Sequence, residues 1–114
     1  LEVALRLRLY TYIRSKAPGL LEVLDLLCSK LYGSKALDLL LTNPSKLYSA
    51  LLTYYGNSGG ADYAALLLFL NPLAECFGSY EVVRELLDAM KVGNDQRFLE
   101  LVTMCRELTA PRAA

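Results

Sequence analysis

The seven residues from Ala64 to Leu70 read AALLLFL, so a helix built from them has no polar side to turn to water. A helix that is apolar around its whole circumference has to be enclosed by other protein. The stretch from Gly59 to Gly78 therefore predicts a central helix, about residues 61–77, with the rest of the chain wrapped around it. Asn71-Pro72 falls inside that stretch. Proline lacks the amide donor and its ring collides with the preceding turn, which predicts a kink at Pro72 or a break into Ala61–Leu70 and Pro72–Phe77.

The material available for wrapping is helical. Leucine occurs 27 times, whereas Ile and Val together make seven, so the apolar content comes as helix formers and not as the β-branched residues that suit strands. The predicted fold is all-α: a compact bundle of about five to six helices forming a single domain over residues 1–114. Apolar residues make up 54% of the chain, above the roughly 45–50% usual for globular proteins. The surplus points to an oligomer interface, or to a groove for an apolar ligand or a partner helix.

Leu1 to Lys16 supports two readings. Leu1, Val3, Leu5, Leu7 and Leu9 alternate with polar residues as in a half-buried strand, while Leu1, Leu5, Leu9, Tyr12 and Ile13 form one helical stripe. Helix is preferred, because no other segment offers a strand to pair with and a strand here would have to pair across a dimer. Pro18 then opens a second helix that Gly33 stops, with Leu20, Leu24, Leu27, Cys28 and Leu31 inward and Leu21, Val23 and Leu26 widening the face. Only Glu22, Asp25, Ser29 and Lys30 look outward, which predicts burial of most of its circumference.

Ser34 is placed to cap a short helix over Lys35–Leu41, and Asn43 to cap one that starts at Pro44 and ends at Gly56. Asn57-Ser58-Gly59-Gly60 reads as a flexible linker before the central helix. After Gly78, Ser79 caps a helix to Lys91 in which Arg84 and Asp88 are spaced to pair. Asp95 to Leu108 forms the last helix, with Phe98, Leu101, Val102, Cys105 and Leu108 inward, and Thr109 to Ala114 is expected to fray.

Chemistry finds little to work with. The chain has no histidine, which removes the commonest general base and the commonest transition-metal ligand. Cys28, Cys76 and Cys105 are dispersed and odd in number, fitting buried thiols in a reducing interior. Glu75 is the one carboxylate in a segment expected to be buried. Gly56 to Gly60 precedes a helix but lacks the Lys-Ser/Thr of a phosphate-binding loop. No catalytic residue, cofactor site or metal site is assigned, and the chain is read as no enzyme.

The net charge is zero, with seven Lys/Arg against four Asp/Glu in residues 1–46 and five against eight in 47–114. The longest apolar run is far short of the ~20 residues that cross a bilayer. The alternation of basic and apolar residues near Leu1 does not resemble a secretory signal, and Leu in place of Met there points to a trimmed chain. Together these features give a cytoplasmic reading.

Three functions follow. The first is a protein-interaction module, homo-oligomeric or bound to a protein partner, whose contact surface draws on Leu5, Leu9, Tyr10 and Tyr12 and on Tyr48, Tyr55 and Tyr63; tyrosine suits such surfaces because its body is apolar and its tip polar. The second is a nucleic-acid-binding regulator using Arg6, Arg8, Arg14 and Lys16 interleaved with tyrosines. The third is a binder of small apolar ligands beside the kinked central helix.

Tyr32-Gly33, then Asn43-Pro44-Ser45-Lys46-Leu47-Tyr48-Ser49-Ala50-Leu51 to Gly56, then the apolar Ala64–Leu70 run resemble a small archaeal all-helical family, the Nitrosopumilus-type output domains. The resemblance covers about residues 20–77. It implies a non-catalytic regulatory or signalling module in an archaeal cytoplasm, and it carries over no ligand or site residues.

Overall fold

A computed structural model describes the backbone of residues 2–77 and 80–109 and the side chains of residues 5–74 and 81–104. The predicted positions of Gly78 and Ser79, the side chains of Glu75, Cys76, Cys105 and Leu108, and the tail after Thr109 lie outside the described residues. The elements are α1 (Glu2–Lys16), α2 (Leu20–Tyr32), α3 (Ala36–Leu40), α4 (Pro44–Tyr55), α5 (Ser58–Ala64), a π-helical segment (Ala65–Leu70), α6 (Asn71–Phe77), α7 (Tyr80–Val92) and α8 (Asp95–Thr109). The fold is all-α. The first segment is the preferred helix, with Leu9 and Ile13 fully buried on its inner side.

The central helix forms where its composition requires, and α1 and α7 pack against its π segment. Ala65, Phe69 and Leu70 are fully buried and Leu68 nearly so. Burying a side chain of that size contributes roughly 1.5–3 kcal/mol relative to leaving it in water. The backbone does not break at Pro72. One helical path runs from Ser58 to Phe77, and the irregularity sits upstream of the proline, at Ala65–Leu70. There the Asn71 amide bonds back five residues, to the Leu66 carbonyl. Pro72 offers no amide and would crowd the carbonyl four residues before it, and a widened turn just ahead of it absorbs that conflict within a continuous helix.

The expected flexible linker Asn57–Gly60 is instead the start of this path. Asn57 accepts a hydrogen bond of 2.7 Å from the Gly60 amide and caps α5. Gly60 itself is dictated by packing, because a Cβ there would stand 2.9 Å from Tyr55 Cβ on α4. Two other helix starts are capped from a distance. Asp25 on α2 accepts from the Ala36 amide at 2.9 Å, where the sequence placed Ser34 as the cap. Asp95 on α8 accepts from the Ser45 amide at 2.9 Å and from Ser45 Oγ at 3.0 Å, taking the role assigned to Asn43. A carboxylate at a helix N-terminus satisfies free amides and meets the positive end of the helix dipole, so these two residues also tie α2 to α3 and α8 to α4.

The expected Arg84–Asp88 pairing is replaced by one between helices, in which Arg97 on α8 meets Glu85 on α7 at 2.7 Å. The largest departure is α2. Leu21, Leu24 and Cys28 are buried, but Val23, Leu26 and Leu31, all placed inward by the sequence, are exposed. Neighbours α1, α3 and α4 cover α2 from one side only.

Candidate functional site

The residues proposed for a contact surface on α1 and α4–α5 divide. Leu9 and Tyr48 are core residues, so neither is free to meet a partner. Tyr48 instead donates to Asp62 Oδ1 at 2.5 Å, while Lys91 Nζ donates to Asp62 Oδ2 at 2.9 Å. This small polar cluster joins α4, α5 and α7. Burial and the bond to Asp62 push the Tyr48 phenol up to about 12. Burial works to raise the Asp62 carboxyl, but the bonds from Tyr48 and Lys91, with the Lys91 charge, outweigh it and hold the group below the usual range. Leu5, Tyr12 and Tyr55 are half-buried against the core. Tyr10 is partly exposed, and Tyr63, 69% exposed, is the most open of the set.

Of the basic segment, Arg8 is exposed, while Arg6, Arg14 and Lys16 have partners within the fold. As a helix, α1 turns Arg6, Arg8, Arg14 and Lys16 to different sides, since successive residues advance by about 100°. Arg6 forms an ion pair with Asp38. Arg14 receives no proton from Tyr10 but donates to its hydroxyl at 3.2 Å, lies over its ring at 5.4 Å, and stands 3.9 Å from Glu22. Lys16 sits 5.8 Å from the Tyr12 ring centre.

One surface depression, of about 180 Å³, lies where Arg6, Tyr10, Asp25, Lys35 and Asp38 converge. Another, about 670 Å³ and shallow, runs along α8 past Leu99 and Met104. Among the described residues, neither of these is lined by the central helix. Cys28, the buried thiol, has its pKa raised to about 11 by burial and by the nearby Asp25 charge, which keeps it protonated and unreactive. Among the described residues no three Cys, Asp or Glu side chains gather as a metal site would need. Among the described residues no helix is long and apolar enough to cross a membrane.

What the fold leaves open is the outer side of α2. Glu22, Leu26 and Lys30 lie four residues apart and form one ridge along the helix, with Val23, Leu27 and Leu31 forming the next. Leu26 is 75% exposed, and Val23 and Leu31 are each 45% exposed. The signal for this was present in the sequence: nine of the thirteen residues of α2 are apolar or tyrosine, more than the single stripe a packed surface helix needs. Counting them did not say which would be covered. Comparison with known protein families, with curated proteins and with solved structures finds no match.

Proposed function

We propose that the chain is a non-enzymatic helical protein-interaction module of regulatory type, acting in the cytoplasm, and that the outer side of α2 is its contact surface. The observation that carries this reading is the exposure of Leu26, flanked on the neighbouring ridge by the exposed Val23 and Leu31. Leaving three large apolar side chains together in water is unfavourable, and a contiguous patch of this kind characterises surfaces that meet another protein. The surplus of apolar residues in the composition has its outlet here. The regulatory character is what the resemblance to the archaeal output domains implies.

Nucleic-acid binding gains no support from α1, whose cations point in different directions, with Arg6, Arg14 and Lys16 engaging Asp38, Tyr10, Glu22 and Tyr12. The compact depression beside Arg6, about 180 Å³, is smaller than the roughly 300–1,000 Å³ of typical small-molecule sites and is lined largely by charged groups. Site-specific photo-crosslinking in the native cell tests the interaction reading. A benzophenone side chain replacing Leu26 should give a discrete adduct, and the same group replacing the exposed Thr53 on α4 should not. Absence of an adduct at position 26, or equal labelling at both positions, overturns the reading.

A further inference from the structure

We infer that the occupant of the α2 surface is a second copy of this chain, docked with the two α2 helices antiparallel about a two-fold axis at Leu26. The inference rests on the reading of α2 as a contact surface and adds the partner's identity. Its basis is the charge pattern of the exposed ridge. Glu22, whose exposed carboxylate also stands 3.9 Å from Arg14 of its own chain, lies four residues before Leu26 and Lys30 four residues after it, on the same row. A two-fold axis through Leu26 therefore sets Glu22 of each copy opposite Lys30 of the other, giving two equivalent ion pairs that flank an apolar centre. A parallel arrangement would set Glu22 against Glu22 and Lys30 against Lys30. The face is complementary to itself in one direction only, as an isologous contact requires.

The ends of the helix obey the same symmetry. Gly19 and Gly33, each seven residues from Leu26, bound α2 with positive φ values of 85° and 72°. Neither end carries a side chain that would hold the opposing helix away. Between them the Val23-Leu27-Leu31 ridge and the Glu22-Leu26-Lys30 ridge form parallel rows four residues in pitch, the geometry by which two helices interdigitate. The helix is short, 13 residues or roughly 20 Å at 1.5 Å per residue, so the contact is small and the dimer is reversible and concentration-dependent rather than obligate.

Analytical ultracentrifugation of the full chain from micromolar to millimolar concentration tests this, with circular dichroism confirming that each variant is folded. The parent should pass from monomer to dimer, and Leu26→Glu, which sets two carboxylates face to face on the axis, should stay monomeric. Glu22→Lys and Lys30→Glu should each weaken association about tenfold, as expected when two exposed attractive pairs become repulsive. The doubly exchanged variant should return to within about threefold of the parent, since it restores both pairs. A double variant no stronger than either single one overturns the antiparallel arrangement. A parent that remains monomeric throughout overturns the second copy as partner. If position 26 then crosslinks to a different protein, the interaction reading stands without this one; with no adduct at all, both fall.

Discussion

The π segment of the central helix and α2 are both rich in leucine, yet the fold treats them oppositely. Ala65–Leu70 is held by α1 and α7, and Leu67 alone of its side chains is substantially exposed. Helix α2 has neighbours on one side, and Leu26 in its middle stands in solvent. An apolar side chain contributes to stability only if something covers it. The central helix thus serves the fold, whereas the outer half of α2 adds little to the folded monomer and is available for association.

Substitutions sharpen this contrast. Phe69→Ala should cost the most, about 3–5 kcal/mol, because it removes a fully buried ring and leaves a cavity; urea unfolding measures it, and a loss below about 1 kcal/mol would mean that the central helix is not the enclosed one. Next comes the polar cluster that ties the central path to α4 and α7. The Tyr48 phenol ionises at about 12 in the folded protein against 10.0 ordinarily. Its contribution is therefore complete below pH ~10 and is lost as pH rises toward ~12, a change on the order of 2 kcal/mol. Tyr48→Phe should flatten the stability curve in that window, and an unchanged alkaline slope would break the assignment.

Gly60→Ala should destabilise by about 1–2 kcal/mol, since the added methyl group meets Tyr55 Cβ, which is fixed to the α4 backbone. Gly59→Ala, where the added atom meets only the Asn57 side chain at 3.3 Å, should cost less, and thermal unfolding of the pair compares them. The smallest effect belongs to α2. Leu26→Ser should shift monomer stability by less than about 0.5 kcal/mol, as exposed positions do. If its cost approached that of Phe69→Ala, Leu26 would be part of the core and the contrast between the two helices would disappear.

Local signals in the sequence were sufficient for the helices and several of their ends. Leucine content gave the all-α class, the all-apolar Ala64–Leu70 run gave the enclosed helix, and Gly33 and Gly56 close α2 and α4 in left-handed conformations as their positions predict. These features depend on residues within a turn or two of one another, whose preferences act whatever the rest of the chain does.

Other features depend on which distant groups the packing brings together. Asp25 and Asp95 cap helices whose own flanking residues looked adequate, because α2 and α8 deliver carboxylates to those amides. Asn57-Ser58-Gly59-Gly60 looked like a linker because glycine disfavours helix by about 1 kcal/mol, a local preference outweighed once α5 folds back so closely on α4 that no side chain fits at Gly60. The site followed the same logic. Leu9 on its apolar stripe and Tyr48 by its half-apolar chemistry were placed at a contact surface and Leu26 on the inward face, and packing reversed each assignment. By itself the sequence determined which segments are helical and which one must be enclosed, since backbone preference and apolar periodicity are local. Which side of α2 remains uncovered was decided only by the tertiary structure, because burial depends on where the other helices lie.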